Sequence, residues 1–417
     1  MARIKIINFG CSSNLAESEM IAGMLKLEGH EIINEKEDVA IINACSVKGP
    51  SVLKWLKEVE KNKNVIITGC VTPASISDID KLNANASIIS THNIKRIPEV
   101  IDYVIEGNKV NITENNKDNK APLPKIRKNP LIEIIPVCNG CQFNCTYCAT
   151  KLVKGNLFSY PPEDIINRAK QAIFEGCKEI WITSQDTGAY GLDINTNLPS
   201  LLRKLLSLEG DFKIRVGMTN PNHCYRDLKE LIEIYKHPKM FRFLHMPVQS
   251  GSDKVLKEMK RPYNVAQYYS VLDTFRKEIP DITISTDIIT GFPTETEEDF
   301  NLTLELLKKI QPEVLNFSRY WPMKGTKAAE MKQVLGALKN SRSKKVLELF
   351  KVLGLEKNIK FIGKEFEIII DETAKNGTTT GRNDSYRPII LKGNFKLGEK
   401  LKVKITGATH IDLRATL

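Results

Sequence analysis

Short, β-branched apolar runs alternate with helix-length segments along most of the chain, and this alternation restricts the fold more than any other feature. In the first hundred residues the strand candidates are Ile4–Asn8, Val39–Asn43 and Val65–Thr68. Helical spacing of apolar residues marks the segments between them, Glu17–Leu27 and Val52–Val59. This alternation predicts a parallel sheet covered by helices, so residues 1–110 are predicted to form an N-terminal doubly wound α/β domain.

A polar stretch separates this domain from a second alternating region. Residues 111–128 contain a polar run without periodicity and then Ala121-Pro-Leu-Pro, which predicts an extended linker. Residues 129–326 hold six strand candidates: Leu131–Val137, Glu179–Thr183, Lys213–Met218, Arg242–Met246, Ile282–Ile288 and Val314–Tyr320. The helical segments between them include Pro162–Phe174, Asn197–Leu206, Tyr225–Tyr235 and Thr296–Ile310. Six βα units predict a central partial (β/α)6 barrel, and the pattern leaves an open doubly wound sheet as the alternative.

The last quarter of the chain changes character twice. Residues 327–360 are basic and show helical spacing, so they are predicted to form a helical connector. From residue 361 onward, glycines separate three strand candidates, Glu365–Ile370, Pro388–Leu391 and Leu401–Ile405. Residues 361–417 are therefore predicted to form a small all-β, OB-like barrel.

The positive charge of the chain is concentrated in this last quarter. The formal net charge is +11, and residues 324–417 contribute 20 basic against 10 acidic side chains. A localised basic surface favours an anionic partner, although the solvated face of a Lys-rich helix is the simpler alternative. Tyr386 is predicted either to stack on a base or to pack in the barrel core. The basic residues that fit binding to a nucleic acid backbone are Lys364, Arg382, Arg387, Lys392, Lys396, Lys400, Lys402 and Lys404.

The sequence shows no sign of a membrane or of an oxidising compartment. No run of about 18 apolar residues is present, and the N-terminus lacks the pattern of a signal peptide. The nine cysteines are odd in number, so a disulfide framework is not expected. We therefore expect a cytoplasmic protein without membrane contact, in which cysteines serve as metal ligands.

Three cysteines lie within eight residues after the first strand candidate of the middle region. Cys141, Cys145 and Cys148 have the spacing CxxxCxxC. A loop of this kind can bind three irons of a cubane cluster and leave the fourth iron open to a ligand. A structural zinc site is the alternative, and it would need a fourth ligand such as Cys138.

Three further cysteines each follow a strand candidate of the N-terminal domain. Cys11 comes after Ile4–Asn8, Cys45 after Val39–Asn43, and Cys70 after Val65–Thr68. Ligands of open α/β sheets gather beyond the carboxyl ends of the strands. The three thiols are therefore predicted to converge on a shared metal site, although one such cysteine alone is usually a small buried apolar residue.

Motifs from all three regions resemble the radical S-adenosylmethionine (SAM) methylthiotransferase family. The N-terminal domain contributes Phe9-Gly-Cys11-Ser-Ser-Asn14, Asn43-Ala-Cys45-Ser-Val47 and Thr68-Gly-Cys70-Val71. The middle region adds CxxxCxxC with Thr183–Tyr190, Val216–Pro221, His245–Ser252 and Asp287–Pro293. The C-terminal Thr380–Tyr386 and Val403–Gly407 resemble the TRAM RNA-binding domain. Gly155–Pro161 and Ser184–Tyr190 are most similar to the archaeal and eukaryotic branch, which acts on N6-threonylcarbamoyladenosine at position 37 of tRNA.

The resemblance implies a tRNA-modifying enzyme that methylthiolates C2 of that nucleoside with two SAM molecules and two 4Fe-4S clusters. Cys141, Cys145 and Cys148 would hold the SAM-binding cluster, and Cys11, Cys45 and Cys70 the auxiliary cluster. An electron donor protein and the tRNA anticodon stem-loop are the expected partners of a monomer. The residues expected near SAM are Tyr147, Ser184, Gln185, Asp186, Gln249, Asp287, Gly291 and Phe292. A strand-end Gln or Asp can instead cap a helix.

Three positions depart from the common family pattern. Lys154-Gly155 replaces Arg-Gly, Met323–Thr326 replaces Arg-Pro-Gly-Thr, and Thr294 replaces a glycine. Lys keeps the positive charge of Arg but lacks its planar, bidentate fork. Two other functions stay open at this stage: the same chemistry on isopentenyladenosine in tRNA or on an aspartate of a ribosomal protein, and an RNA-binding protein with structural or electron-carrying clusters.

Overall fold

An all-parallel sheet of six strands forms the N-terminal domain of the computed structural model, which describes residues 1–46, 49–373 and 377–417. Val47, the last residue of one cysteine motif, lies outside these ranges. The strands are β1 (Arg3–Asn8), β2 (Glu31–Ile32), β3 (Val39–Ala44), β4 (Val65–Gly69), β5 (Ser87–Ile89) and β6 (Asn111–Ile112). The helices are α1 (Ser12–Leu27), α2 (Gly49–Lys61), α3 (Pro73–Leu82) and α4 (Ile97–Ile105).

The strand order β2-β1-β3-β4-β5-β6 confirms the predicted doubly wound sheet. Helices α1 and α4 cover one face of the sheet with Met20, Ile21 and Ile101, whereas α2 and α3 cover the other with Trp55 and Ile79. The order reverses at β1, which pairs with both β2 and β3. Ligands of doubly wound sheets bind beyond the carboxyl ends of the strands at such a reversal.

Two details of this domain differ from the sequence expectation. Helix α1 begins at Ser12, five residues before the predicted start, because its first turn is polar and carries no apolar periodicity. The strands β2, β5 and β6 are too short to give a hydrophobic signal. Since β6 pairs with β5, the sheet extends to Ile112, inside the segment predicted as a linker.

Six parallel strands form the predicted partial barrel of the middle region, which is thereby confirmed. They pair as β7-β10-β11 and β12-β13-β14, and the backbone N–H of Ile214 bonds to Lys239 O at 2.7 Å to join the two halves. The strands are β7 (Ile132–Pro136), β10 (Glu179–Thr183), β11 (Lys213–Val216), β12 (Phe243–His245), β13 (Thr283–Thr290) and β14 (Val314–Arg319). A small antiparallel pair, β8 (Cys138–Asn139) and β9 (Phe158–Ser159), follows β7.

Helices surround the barrel and close its core. They are α5 (Ala149–Lys154), α6 (Pro162–Phe174), α7 (Leu198–Leu206), α8 (Pro221–Arg226), α9 (Leu228–Tyr235), α10 (Asp253–Glu258), α11 (Val265–Glu278) and α12 (Glu297–Ile310). The predicted helix over 225–235 is wrong in extent. Two helices meet at Asp227, because Pro221 starts a separate turn and the backbone at Asp227 leaves the α region.

The C-terminal region begins with α13 (Lys327–Glu330) and the long helix α14 (Gly336–Asn358), which packs along β14. Five described strands then close into the predicted small barrel in the order β15-β16-β17-β19-β18. They are β15 (Glu365–Thr373), β16 (Thr378–Arg382), β17 (Pro388–Lys392), β18 (Lys400–Ala408) and β19 (Leu413–Thr416). The sequence did not reveal β16 and β19, which are short and rich in Thr, Gly or Arg.

The small barrel docks on the amino-terminal end of the central strands, opposite the cysteine loops. Tyr386 is 7% exposed and packs edge-on against Phe241 and Phe243, with ring centroids 4.8 and 5.2 Å away. The Arg215 guanidinium lies 4.9 Å from the Tyr386 ring and 4.7 Å from Trp181. Of the two roles weighed for Tyr386, the packing role is therefore correct. No helix in the described residues is long and apolar enough to cross a membrane.

Candidate functional site

The three N-terminal cysteines lie at the same edge of the sheet because their strands are in register. Asn43 pairs with Asn8 of β1 on one side and with Thr68 of β4 on the other. Cys45 and Cys70 each follow this row by two residues, and Cys11 follows it by three. Cys45 and Cys70 are buried, whereas Cys11 is exposed at the start of α1.

Buried amide side chains tie the three cysteine loops together. Asn14 Oδ1 accepts from Cys11 Sγ at 3.5 Å, while its Nδ2 donates to Asn43 Oδ1 at 2.8 Å and to Ala44 O at 2.9 Å. The backbone N–H of Cys70 donates to the same Ala44 oxygen at 2.9 Å. Gly69 has a φ of 84°, and a Cβ there would lie 2.2 Å from Asn43 Oδ1. Close approach of the loops therefore requires this glycine.

A group of buried charges lies next to these thiols. Glu17 Oε1 accepts from Lys120 Nζ at 2.6 Å, Lys154 Nζ at 2.8 Å and Thr91 Oγ1 at 2.8 Å. Burial raises the pKa of Glu17, but the two ammonium groups outweigh it and lower that pKa to about 2. Burial lowers the pKa of Lys120 to about 8, whereas the net pKa shift of Lys154 is upward because Glu17 and the Cys70 thiol oppose its burial.

The thiols and the lysine influence each other. Burial raises the pKa of Cys70 to about 12; the Lys154 ammonium lowers it, and nearby Cys11 and Cys45 raise it further. The strand register places the three cysteines at one edge of the sheet, and their convergence on a shared metal site stays a prediction. Metal binding deprotonates thiols of this kind outright.

The CxxxCxxC loop follows the β8 strand and is held by backbone contacts on both sides. The N–H of Cys141 donates to Gly155 O at 3.2 Å, and the N–H of Thr146 donates to Met259 O at 3.2 Å. Burial raises the pKa of Cys141 to about 11, partly offset by the Phe143 N–H, which donates to Cys141 Sγ at 3.4 Å. Burial and neighbouring Cys145 also raise the pKa of Cys148.

Arg261 is a residue of this loop's environment that the sequence gave no reason to select. Its Nη1 donates to Cys145 Sγ at 3.3 Å, and its Nε donates to Tyr263 Oη at 2.8 Å. Tyr147, predicted to lie near adenine, packs against an apolar group that includes Met259 and Phe292. Arg261 stands 116 residues from Cys145, so only the folded chain brings them together.

The predicted SAM contacts at the end of β10 divide into free and occupied groups. Gln185 Oε1 is buried and has no hydrogen-bond partner among the residues that the structure describes. Asp186 is 1% exposed; its Oδ1 accepts from the N–H of Gly188 at 3.2 Å and of Asn220 at 3.0 Å. Its Oδ2 lies 3.2 Å from His223 Nδ1, without hydrogen-bond alignment. Asp186 therefore fills the capping role that the sequence left open. Ser184 Oγ accepts from the Asp186 N–H at 3.0 Å, so Gln185 Oε1 is the unpartnered acceptor at this strand end.

The later predicted contacts lie around β13. Asp287 is inside this strand rather than at its end, because β13 continues to Thr290. Its Oδ1 accepts from His245 Nε2 at 3.0 Å and from Asn316 Nδ2 at 2.9 Å. Gln249 has a left-handed φ of 73° and pairs through its backbone with Asp287 O.

The Gly291–Phe292 turn is tightly packed. Gly291 has a φ of 71°, its N–H donates to Glu295 Oε2 at 2.7 Å, and a Cβ there would lie 2.5 Å from Lys339 Cγ. Phe292 is fully buried against Tyr320. The turn is therefore filled by its own packing, and its Gly291 N–H is already bonded.

The two cysteine sets lie at one domain interface. Ser12, next to Cys11, is hydrogen-bonded through its hydroxyl to Thr183 at the end of β10, with 2.9 Å between the oxygens. Lys154 extends from the helix after the CxxxCxxC loop to Glu17 of the other domain. A Cβ on Gly49 would lie 2.3 Å from the Trp321 ring, so these residues are in close contact across the interface. Strand ends of both domains thus border the same region.

The remaining cysteines are placed in packed surroundings. Cys138 is 2% exposed, and burial raises its pKa to about 12. Cys177 is buried beside Pro130 O, as expected for packing. Cys224 lies in the barrel core, whereas its neighbour His223 faces Asp186 and Phe143 instead. Within residues 1–46, 49–373 and 377–417, no group of three or more His, Cys, Asp or Glu side chains forms a site arranged for a metal ion.

The predicted basic surface is smaller than the sequence suggested. Arg382 pairs with Asp371 at 3.0 Å and Arg387 is 9% exposed, so both belong to the docked interface rather than to an RNA surface. Lys339 and Arg342 of α14 are likewise buried, and Arg342 pairs with Glu295 at 2.7 Å. The predicted barrel lysines that remain exposed are Lys364, Lys392, Lys396, Lys400, Lys402 and Lys404. Of these, Lys400 and Lys402 are already in ion pairs.

Three family models match successive parts of the chain. Uncharacterized protein family UPF0004 matches residues 3–90, the radical SAM superfamily matches residues 135–307, and the TRAM domain matches residues 360–417. The three matches fall on the doubly wound sheet, the partial barrel and the closed barrel.

Curated relatives match nearly the whole chain. A probable threonylcarbamoyladenosine tRNA methylthiotransferase of Pyrococcus horikoshii is 39% identical and is covered over 99% of both chains. The Drosophila melanogaster threonylcarbamoyladenosine tRNA methylthiotransferase is 39% identical over 99% of this chain and 77% of its own length. The Homo sapiens protein of the same name is 43% identical over 97% of this chain and 72% of its own.

Solved structures share the fold at low sequence identity. The radical SAM methyltransferase TsrM of Kitasatospora setae, with cobalamin and a 4Fe-4S cluster bound, has a TM-score of 0.57 at 12% identity over 78% of this chain and 74% of its own. The cobalamin-dependent SAM radical enzyme OxsB, with aqua-cobalamin and SAM bound, has a TM-score of 0.54 at 11% identity over 84% of this chain and 56% of its own. Both likenesses concern the fold.

Proposed function

The chain belongs to the family of threonylcarbamoyladenosine tRNA methylthiotransferases, and on this premise we propose that it methylthiolates C2 of N6-threonylcarbamoyladenosine at position 37 of tRNA. The relatives' names favour this substrate over isopentenyladenosine or a ribosomal aspartate. The observation that supports the proposal is the contact between the two cysteine-bearing domains, in which Ser12, next to Cys11, bonds to Thr183 and Lys154, after the CxxxCxxC loop, bonds to Glu17.

We assign a 4Fe-4S cluster with one open iron to each cysteine set. Cys141, Cys145 and Cys148 are three thiols on one loop beside a cationic donor, Arg261. Cys11, Cys45 and Cys70 are three thiols at one edge of the sheet, and the Lys154 ammonium opposes the upward pKa shift that burial causes at Cys70. Three thiols per site leave one position of each cluster for an exogenous ligand. About eight irons per chain follow from this assignment.

The chain's own residues would bind and orient SAM beside the loop cluster. The buried Gln185 Oε1 is an acceptor without a partner among the described residues and suits the amino group of SAM, together with Ser184. We assign Gln249, Asp287 and Gly291 to the ribose side of this site, because the Gln249 N–H bonds to Asp287 O and Gly291 follows directly after β13. Asp186 holds this strand end in place through Gly188 and Asn220.

A bound, reduced 4Fe-4S cluster supplies the electron for the cleavage of SAM, which is chemistry that no side chain here provides. The protein positions the methyl donor and the target adenine and excludes water from between the domains. Tyr147 and Phe292 give that space apolar walls near the loop. An electron donor protein is required for reduction, and the activity is proposed for a monomer in the cytoplasm.

The tRNA would contact the exposed lysines of the small barrel. Lys364, Lys392, Lys396 and Lys404 are exposed and have no ion pair recorded among the described residues. Phosphate contacts of this kind make binding weaken steeply with salt. The anticodon loop then reaches the interface of the two cysteine domains, where the target base leaves its stack.

The decisive experiment supplies the reconstituted enzyme with defined substrates. We would incubate it with SAM, a reductant, sulfide and tRNA carrying either threonylcarbamoyl- or isopentenyladenosine at position 37. Mass spectrometry of the nucleosides should show the methylthio product only from the first tRNA. A product from the second tRNA alone would overturn the substrate. Absence of 5′-deoxyadenosine in every reaction would favour an RNA-binding protein whose clusters are not catalytic.

A further inference from the structure

The buried charge group beside the N-terminal cysteines carries one positive charge in excess. Lys120 and Lys154 are 2% and 1% exposed at their side chains, and both pair with Glu17, which is 3% exposed. No second carboxylate lies within ion-pair distance of either lysine in the described part of the chain. An unbalanced buried charge costs several kcal/mol, so two ammonium groups and one carboxylate require a further anion.

The donors of Lys154 show where that anion lies. An ammonium group has three N–H donors. Two of them bond to Glu17 Oε1 at 2.8 Å and to Thr91 Oγ1 at 2.6 Å. Both of these partners lie at the carboxyl edge of the sheet, where the cysteines follow their strands: Glu17 is on α1, which begins directly after Cys11, and Thr91 follows the end of β5. The electrostatic effect of the Cys70 thiol on the pKa of Lys154 agrees with this placement. The third N–H of Lys154 has no hydrogen-bond partner among the described residues and is available at this edge of the sheet.

The other groups around Lys154 do not supply the missing negative charge. His92 Nε2 donates to Val153 O at 2.9 Å, and burial lowers the pKa of His92. The hydroxyl of Thr91 and the side chain of Asn139 next to His92 are neutral. Among the described residues, only the cysteines are left as a source of anionic charge.

We propose that Lys154 is a positioning residue for the auxiliary site, whose ammonium balances the negative charge of a cluster held by Cys11, Cys45 and Cys70. The inference rests on the proposed function only in assigning a cluster to these cysteines. Lys154 comes from the helix that directly follows Cys148, so the domain that binds SAM completes the electrostatic environment of the other domain's cluster. The auxiliary site is then incomplete without the domain interface.

The test isolates the auxiliary cluster in the full chain. In a reference chain Cys141, Cys145 and Cys148 are replaced by Ala, so that only the auxiliary cluster forms. Iron per chain and the midpoint potential, followed by electron paramagnetic resonance, are measured for Lys154→Met, Glu17→Gln, the double variant and Lys154→Arg. Lys26→Met is the matched control, because Lys26 is exposed on the same helix as Glu17.

The expected shifts follow the sign of the buried charge. Reduction adds a negative charge, so Lys154→Met should lower the ratio of reduced to oxidised cluster about tenfold at a fixed potential, a shift of about 59 mV. Glu17→Gln should shift the potential in the opposite direction. The double variant restores the net charge of the buried group, so its midpoint potential should return towards that of the reference chain. Lys154→Arg keeps the charge and should do the same. Lys26→Met should have no effect.

Each contrary outcome has a distinct meaning. If Lys154→Met and Glu17→Gln move the potential in the same direction, or if neither moves it, Lys154 is only a structural residue and the inference is overturned. If the reference chain binds no iron–sulfur cluster, the cluster assignment itself fails and the inference with it. If Lys154→Met fails to fold, as judged by circular dichroism, then Glu17→Gln, the double variant and Lys154→Arg still show in which direction the buried charge shifts the midpoint potential.

Discussion

The two proposed cysteine sites are built in opposite ways. Cys141, Cys145 and Cys148 share one loop of eight residues, whereas Cys11, Cys45 and Cys70 come from three strand ends that meet only through the sheet. The loop is held by backbone contacts and Arg261. The strand-end site needs a network of buried amides and charges. The difference shows that similar ligand sets can depend on local sequence or on the whole tertiary structure.

Removal of single cysteines should separate the two sites most strongly. We expect Cys145→Ala to abolish formation of 5′-deoxyadenosine and of the methylthio product. Cys45→Ala should retain reductive SAM cleavage but give no methylthio nucleoside, because only the auxiliary cluster is lost. Iron analysis should fall from about eight to about four per chain in both variants. The control is Cys177→Ala, a buried cysteine outside both sites.

Equal loss of SAM cleavage in the Cys45 and Cys145 variants would contradict this division of roles. It would mean that the two sites form one cooperative unit. Nucleoside analysis and SAM cleavage must therefore be measured on the same preparations.

Asn14 offers the next largest test, because it serves only the strand-end site. Asn14→Ala removes contacts to Cys11, Asn43 and Ala44 and leaves buried polar partners unsatisfied, at about 1–3 kcal/mol. We expect most of the auxiliary iron to be lost while the loop cluster and SAM cleavage persist. Asn85→Ala, an exposed residue of the same domain, is the control. Retention of about eight irons per chain would show that the sheet register alone positions the thiols.

The sequence predicted those parts of the molecule whose signal is local. The core strands of the sheet were found because β-branched runs such as Val39–Ala44 are wholly buried. The strand-end positions of Cys11, Cys45 and Cys70 at one edge of a parallel sheet were predicted in the same way. Arg261 and Lys154 were not identified as site residues, because their partners lie 116 and 137 residues away.

The small barrel shows a second limit of sequence reasoning. Tyr386, Arg382 and Arg387 have the residue types of an RNA surface, yet they face Phe241, Asp371 and Glu313 at the docked interface. Composition cannot distinguish a cation that meets phosphate from one that meets a carboxylate of the same chain. The docking also implies that removal of residues 361–417 would expose Trp181 and Arg215 and destabilise the central barrel.

Acid should weaken the strand-end site more than the loop. The pKa of Glu17 is lowered to about 2 in the folded chain, below its usual value of about 4.3. A carboxylate with a lowered pKa stabilises the fold above its unfolded pKa and loses this effect as the pH falls towards the folded value. We expect the urea midpoint of the metal-free protein to fall between about pH 4 and pH 2. The stabilisation lost is roughly 3 kcal/mol, at 1.36 kcal/mol per pKa unit.

Glu17→Gln should flatten this acid dependence, whereas Glu28→Gln, exposed at the end of the same helix, should keep it. An unchanged acid dependence in Glu17→Gln would assign the effect to other carboxylates. Asp299 is the main alternative, because Lys254 and Ser252 lower its pKa against its partial burial.

Arg261 provides the smallest and most local test, and it concerns the loop alone. Its guanidinium donates to Cys145 Sγ, and hydrogen bonds to the sulfurs raise the potential of an iron–sulfur cluster. In a chain with Cys11, Cys45 and Cys70 replaced by Ala, Arg261→Met should lower the ratio of reduced to oxidised loop cluster up to about tenfold, or about 59 mV. Arg261→Lys keeps the charge without the fixed donor geometry. Its ratio of reduced to oxidised loop cluster should therefore lie between those of the reference chain and Arg261→Met. Arg203→Met, at an exposed ion pair, is the control.

The complementary chain retains only the auxiliary cluster. In it Arg261→Met should leave the midpoint potential unchanged, because the cysteine that Arg261 contacts belongs to the loop. A shift of that potential would mean that the two sites share one electrostatic environment.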